Sequence, residues 1–477
     1  MSLKRVLEWY ELLAIGVAGI IGSSWAYLNT TFYGTYGPGA TIFGFAISTA
    51  MAFLVALCFA EMGSTISREG GEVAFVFPTL GLKGSFIVGW MYILAWLVAT
   101  CSFYVAAFGF LLSWLIPQLN TIPIYEVAGW PVYLPALLVG IAGNIVAFIL
   151  NYIGAKIAAR AQFMMFIFLM IFGVIIVATA FIKGSISNFF PPFPEGANPL
   201  LNSVRFALMS ITYITGAELL ATVAEETKVK PKTFGYLIAS SAVIAGSFYM
   251  LMMFSGSIIM PWREAVKVAP RGTIDLLTMI HPGLGLVAWL ASILGMVTSW
   301  LPGMMSMSRT VYALARAGLL PERFERIHPK YGTPTFALVF VLIVSTILGL
   351  LGRRAMIWFL DVGGISISVY WLMAALSLIL TRRRIPESKL PRYFKAPAPY
   401  IIGGISIIGT AILILFAIIP GTEISLIWPY EYLILISWVV LGIIIYPFVT
   451  KRAKKLGFER IARNLLGEYY DLLCKSS

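Results

Sequence analysis

Runs of about 20 apolar residues, the length needed to cross the hydrocarbon core of a bilayer, recur along almost the whole of this chain. Backbone amides and carbonyls in hydrocarbon must find partners within the protein, so runs of this kind become packed helices. Length and apolarity predict about twelve spans, near 12–33, 40–61, 84–116, 132–151, 157–182, 200–226, 234–260, 284–315, 334–352, 355–380, 399–420 and 431–450. The expected fold class is an all-α polytopic membrane protein, with 1–11 and 451–477 as tails. With 60% of its 477 residues hydrophobic and 12% charged, no separate soluble domain is expected. No small-residue cleavage pattern flanks the first run, which is therefore expected to remain a helix.

An even number of spans puts both tails on one side. Loops on that side carry about 27 of the 34 basic residues, against about six opposite: Lys183, Arg263, Lys267, Arg271, Arg353 and Arg354. The expectation is a multi-pass protein of the cell membrane with both termini cytoplasmic. The net charge of +13 then belongs to topology, and nucleic acid is not an expected partner. The densest clusters are Arg382 to Arg384 with Lys389, Arg392 and Lys395, and the run Lys451, Arg452, Lys454 and Lys455. They are expected to hold the topology and to meet anionic lipid headgroups. Beyond them Ile461, Leu465, Tyr469 and Leu472 recur at helical spacing and predict a short amphipathic helix on the inner membrane surface. On the other side Trp262 to His281 combines three basic residues with the apolar run Ile274 to Ile280, which predicts an ordered, partly helical lid.

Cys58 and Cys101 lie in apolar runs and Cys474 in the tail, which is no disulfide framework. His281 and His328 are each followed by proline and give neither a metal set nor a catalytic centre. No cofactor or resident metal is expected, and the few scattered intramembrane acids do not make an enzyme.

Within the first span, Ala14 to Ser24 reads AIGVAGIIGSS, with three glycines and two adjacent serines. Small residues in membrane helices let a neighbour approach closely. A broken helix is the other reading, and it is tolerated in a bilayer only where its free backbone groups line a cavity or meet a ligand. The sixth span repeats the signal: Ser210 to Glu218 reads SITYITGAE, placing Gly216 and a carboxylate well inside an apolar run. An acid at that depth faces a cavity, a partner or a substrate, or bonds to a neighbouring helix. Interruptions five spans apart are the pattern of a 5+5 inverted repeat, here 12–182 and 200–380, whose discontinuous helices 1 and 6 meet at mid-membrane, with two additional C-terminal helices at 399–450. Amides at such breaks suit a carboxylate and carbonyls suit an ammonium or cation, so a zwitterion fits.

Four stretches also resemble the amino acid, polyamine and organocation transporter family, which has the LeuT-type fold. Gly19 to Ser23 (GIIGS) resembles its G-x-I-G-S-G, and Ala60 to Gly63 with Ser67 to Gly71 resembles A-E-L-G followed by P-R-S-G-G. Gly216 to Glu218 with Ala224 to Lys232 resembles G-F-E followed by A-E-E-x-K-N-P-x-R, and Ser308 to Pro321 resembles S-R-x-x-Y-A-x-A-R-D-G-x-L-P. Ser24 replaces the third glycine of the first motif, and Ala317 the acid of the last.

The resemblance implies an amino acid permease working by alternating access. The substrate carboxylate would rest on amides near Gly22, Ser23 and Ser24, and its amino group on carbonyls near Gly19 and Ile20 and near Thr212, Tyr213, Thr215 and Gly216. The family's aromatic gate falls at Thr212, leaving Tyr213 as the stand-in, and Glu218 is the expected proton-responsive or gate-holding acid. With no other charged group evident, neutral amino acids are favoured. Some proton-coupled relatives carry a buried lysine in helix five, thirteen residues after an entrance lysine; from Lys156 that count reaches Leu169. Carbonyls near Gly16 and Gly19 with the hydroxyls of Thr298 and Ser299 are a possible cation site, unless those hydroxyls bond back to their own helix. The coupling ion is then H+ or Na+, with uncoupled exchange, polyamine transport or a non-transporting sensor as alternatives, and the protein a monomer or homodimer.

Overall fold

The computed structural model describes residues 3–474. Among the described residues ten helices are long and apolar enough to cross a membrane, and two shorter apolar helices complete the twelve spans read from the sequence. The first span is α1 (Trp9–Ile20) and α2 (Asn29–Tyr36), followed by α3 (Pro38–Thr65) and α4 (Phe77–Ser113). A hairpin of β1 (Pro123–Val127) and β2 (Trp130–Tyr133) is a small departure from the all-α expectation. Next come α5 (Leu134–Tyr152) and α6 (Ala155–Lys183), and then the sixth span, split into α7 (Pro199–Ser210) and α8 (Glu218–Thr222). After α9 (Pro231–Ile258), the connection expected to be a lid is indeed ordered, as α10 (Trp262–Val268) and α11 (Thr273–Ile280). The remaining spans are α12 (Pro282–Arg316), α13 (Thr335–Gly349), α14 (Gly352–Arg384), α15 (Pro399–Ile418) and α16 (Tyr430–Leu456).

Proline opens α3, α7, α9, α12 and α15, where the missing N–H costs no helical bond and the fixed φ suits the first turn. Inside α12 the same chemistry has a price: Pro302 cannot donate to the Thr298 carbonyl four residues earlier. The Gln162 amide of α6 fills that gap, donating to Thr298 O at 2.7 Å and to Ala14 O of α1 at 3.3 Å. One side chain thus ties α1, α6 and α12 together. In α4, residues Ile93–Cys101 are wound as a π-helix, and Thr100 and Ser102 hydroxyls bond carbonyls five residues back, at Ala95 and Leu97.

The face that carries the termini is sealed. Arg309 is fully buried, its Nε 2.7 Å from Glu226 and 3.4 Å from Glu69. The Gly70 amide donates to Thr222 O at 3.0 Å, and the N-terminal strand bonds Glu226 O through Val6 and Leu7. Two expectations are refined here. Arg382 pairs with Glu61 at 2.6 Å, Arg392 lies 3.7 Å from the same acid, and Arg452 pairs with Glu325, so these three serve internal ion pairs, while Arg383, Arg384, Lys451, Lys454 and Lys455 stay exposed. The amphipathic tail is α17 (Phe458–Leu466) and α18 (Tyr469–Cys474), and it docks on the protein. Ile461, Leu465 and Tyr469 are buried, Arg68 donates to Leu465 O at 3.1 Å, and only Leu472 of the four is exposed. Cys58 and Cys101 are buried free thiols; the Cys474 side chain lies outside the described residues.

Candidate substrate site

The helix of α1 ends at Ile20 because Gly22, Ser23 and Ser24 follow with weak helical preference, and Ile21 is extended. The break is stitched by a residue the sequence did not single out. Tyr249 of α9 accepts the Gly22 N–H at 3.0 Å and donates to the Ile20 carbonyl at 3.2 Å. The Ser23 carbonyl receives the Ser292 hydroxyl at 3.2 Å, and among the described residues the amides of Ser23 and Ser24 meet no acceptor.

The second break runs through a 3-10 turn at Ile211–Ile214, an extended Thr215 and Gly216 at φ 134. Glycine is required there twice over, by that φ and because a Cβ would lie 3.0 Å from the Gly19 carbonyl. The two interruptions therefore touch. Glu218 closes this break from behind: Oε2 accepts the Gly216 N–H at 3.0 Å and Oε1 accepts Trp96 Nε1–H at 3.3 Å.

A cavity of about 350 Å³ opens from the breaks toward the face opposite the termini. Gly19, Ile20, Gly22, Ser23, Ser24, Thr212, Tyr213 and Thr215 all line it, while Gly216 and Glu218 lie behind its wall. The rest of the wall was not foreseen: Trp96 and Phe103 of α4, Tyr104, Tyr249, and from α14 Arg353 and Asp361. Asp361 corrects the reading that Glu218 was the one charged group in reach, since Asp361 is open to the cavity and Glu218 is not. The signal was available, because Asp361 is a lone acid in the apolar tenth span. Arg353 stands at the outer end, 4.2 Å from the Phe110 ring, where β1 and β2 cover a second cavity of about 320 Å³.

The proposed cation ligands come together only in part. Ser299 Oγ lies 3.4 Å from the carbonyls of both Ala18 and Ile21 and also lines the cavity. The α1 carbonyls at Ser299 are those of Ala18 and Ile21, not those of Gly16 or Gly19. Thr298 turns back on its own helix, to Leu294 O at 2.8 Å. Leu169 is buried and apolar, and Gln162 is the α6 side chain that reaches between α1 and α12.

Two touching helix breaks that line one cavity are a transporter's architecture, and comparison with known proteins gives the family. The amino acid permease family model matches residues 7–444. The chain belongs to the amino acid permease family. The branched-chain amino acid permease BcaP of Bacillus subtilis is 27% identical over 472 residues, 95% of each chain. The methylthioribose transporter of the same organism is 23% identical over 94% of each chain. Cationic amino acid transporter 4 of Mus musculus is 25% identical over 80% of this chain and 60% of its own length. These relatives are transporters, not enzymes.

Proposed function

We propose that this permease carries amino acids across the cell membrane by alternating access, with the terminal face cytoplasmic and spans one to five and six to ten related as inverted repeats of the LeuT type. The observation that carries the reading is the pair of unpartnered amides at Ser23 and Ser24, opening on the same cavity as Thr212, Tyr213 and Thr215. Amides at the start of a helical segment favour an anion, so they suit the α-carboxylate. The carbonyls around Gly19 and the second break suit the α-ammonium. The sealed terminal face and the cavity on the other side correspond to a state open to the outside. Aromatic walls from Trp96, Phe103, Tyr104 and Tyr213 favour neutral, apolar side chains.

The test is uptake of radiolabelled leucine into liposomes containing the purified protein, with decarboxylated and N-acylated leucine as competitors. Competition by leucine and none by either derivative is expected; equal competition by the derivatives would refute backbone recognition.

We take transport to be driven by protons. A sodium-driven reading has one observation in its favour, the Ser299 hydroxyl beside the carbonyls of Ala18 and Ile21. An imposed sodium gradient separates the two: sodium-dependent uptake that Ser299→Ala abolishes would establish the second reading.

A further inference from the structure

Asp361 projects from the third turn of α14 into the central cavity, and behind it lies Glu431, in the first turn of α16 and 1% exposed. The Trp358 ring, one turn before Asp361, stacks at 4.4 Å on the ring of Tyr430, the neighbour of Glu431, so both acids sit where α14 and α16 pack together. Glu431 Oε2 accepts the Ile427 N–H at 2.6 Å, whereas Oε1, equally buried, meets no N–H or hydroxyl donor. Carboxylates carry acceptors only, so two of them bond to each other when one holds a proton.

Among the described residues the cavity wall carries one arginine, Arg353, and no lysine. Among the described residues, no lysine or arginine forms an ion pair with either acid. Arg353 is on the same helix two turns outward, stacked on Phe110. From the seventh and sixth spans the cavity presents the hydroxyls of Tyr249 and Tyr213. On α16, Tyr430 stacks on Trp358 and Tyr432 donates to Ile418 O at 2.6 Å. Glu423, in the preceding connection, is taken by Arg205 at 2.8 Å and by the Tyr36 hydroxyl. Two like charges side by side in a low-dielectric wall repel strongly, and a shared proton relieves this at once.

We propose that Asp361 and Glu431 are a proton-binding pair, holding one proton between them and exchanging it with the cavity through Asp361. This rests on the transport reading above and names its proton site. Asp361 has the access and Glu431 the burial: a proton arriving from the cavity side is held by an acid that water does not reach.

The experiment compares two modes of leucine transport in liposomes, accumulation driven by an imposed pH gradient and exchange against internal leucine. Glu431→Gln, outside the cavity lining, is expected to lose the pH-driven accumulation and keep exchange, and Asp361→Asn to lose the pH-driven accumulation as well. The exchanged pair Asp361→Glu with Glu431→Asp, which can still share a proton, is expected to regain accumulation and guards against a folding defect. A protonated-carboxyl carbonyl band in the infrared difference spectrum should vanish in each single variant. Retained pH-driven accumulation in either single variant overturns the pair while leaving the transport reading intact. Loss of lysine uptake alone in Asp361→Asn, with leucine still driven by the pH gradient, also overturns it, because the acid would then be a counter-ion for the substrate. No leucine movement of either kind by the unaltered protein would refute the transport reading instead.

Discussion

Tyr249 and Gly22 are joined across the first helix break by a 3.0 Å bond from the glycine amide to the phenol oxygen. The same hydroxyl gives its own proton to Ile20 O, so one side chain satisfies a donor and an acceptor that the broken helix leaves without partners. Tyr249→Phe keeps the ring stacked on Phe45 and removes only these bonds. Leaving a buried polar group unpaired costs roughly 1–3 kcal/mol. Leucine affinity, measured by calorimetry, is expected to fall, with little change in the detergent-solubilised fold.

Gly22 and Gly295 should answer substitution differently. A Cβ on Gly22 would meet only the Tyr249 hydroxyl, at 3.8 Å, so Gly22→Ala fits the protein and projects into the cavity. Expected is folded protein with weakened binding, and Gly22→Val should abolish binding altogether. On Gly295 a Cβ would sit 2.2 Å from the Gly22 carbonyl, which is backbone and cannot step aside. Gly295→Ala should therefore lower the thermal unfolding midpoint, and an unchanged midpoint would contradict the close α1–α12 packing.

Glu218 accepts two N–H bonds and faces away from the cavity. We expect Glu218→Gln to slow leucine transport, since its amide would set a donor against another donor at Trp96 or Gly216. The shape of the pH profile should survive, because the proton pair lies elsewhere. A flattened profile would instead make Glu218 the proton carrier.

Glu69 lies in the connection after α3, where burial and the neighbouring acids Glu226 and Glu225 raise its carboxyl well above the usual range, with Arg309 opposing them. A carboxyl raised in the folded state binds more protons there than in the unfolded chain, so its contribution is most favourable at low pH. That contribution weakens as pH climbs from the ordinary carboxylate range toward the raised value. Glu69→Gln should flatten this part of the dependence, read as the difference in unfolding midpoint between mildly acidic and mildly alkaline buffer. Arg309→Met, which strands both Glu69 and Glu226, should destabilise by about 3–5 kcal/mol.

The fold was legible because membrane runs announce themselves by length, and the two breaks because glycines with polar residues recur five spans apart, a coincidence that close packing alone does not call for. Thr212, Tyr213 and Thr215 could be placed at the site from Gly216 and their position within one turn of it. Tyr249 could not, since a tyrosine inside an apolar helix reads the same whether it stacks or bonds. Nor could the tail: Ile461, Leu465 and Tyr469 make an apolar stripe whatever covers it, and the arginines that hold it, Arg68 and Arg316, sit far away in sequence. The charge of Arg382 was visible, and its partner Glu61, 321 residues earlier, was not.

Only 11% of the most apolar stretch of α16 is buried inside the protein, the lowest share of any spanning helix described. Such a helix takes its depth largely from the bilayer, tilting or shifting as the hydrocarbon thickness changes. Glu431 rides on it, while Asp361 faces the cavity from α14, a helix packed largely inside the protein. Acyl-chain length is then expected to bear on how α16 seats against α14, and a permease reconstituted in thin and in thick membranes should differ in how tightly substrate movement is geared to the proton gradient.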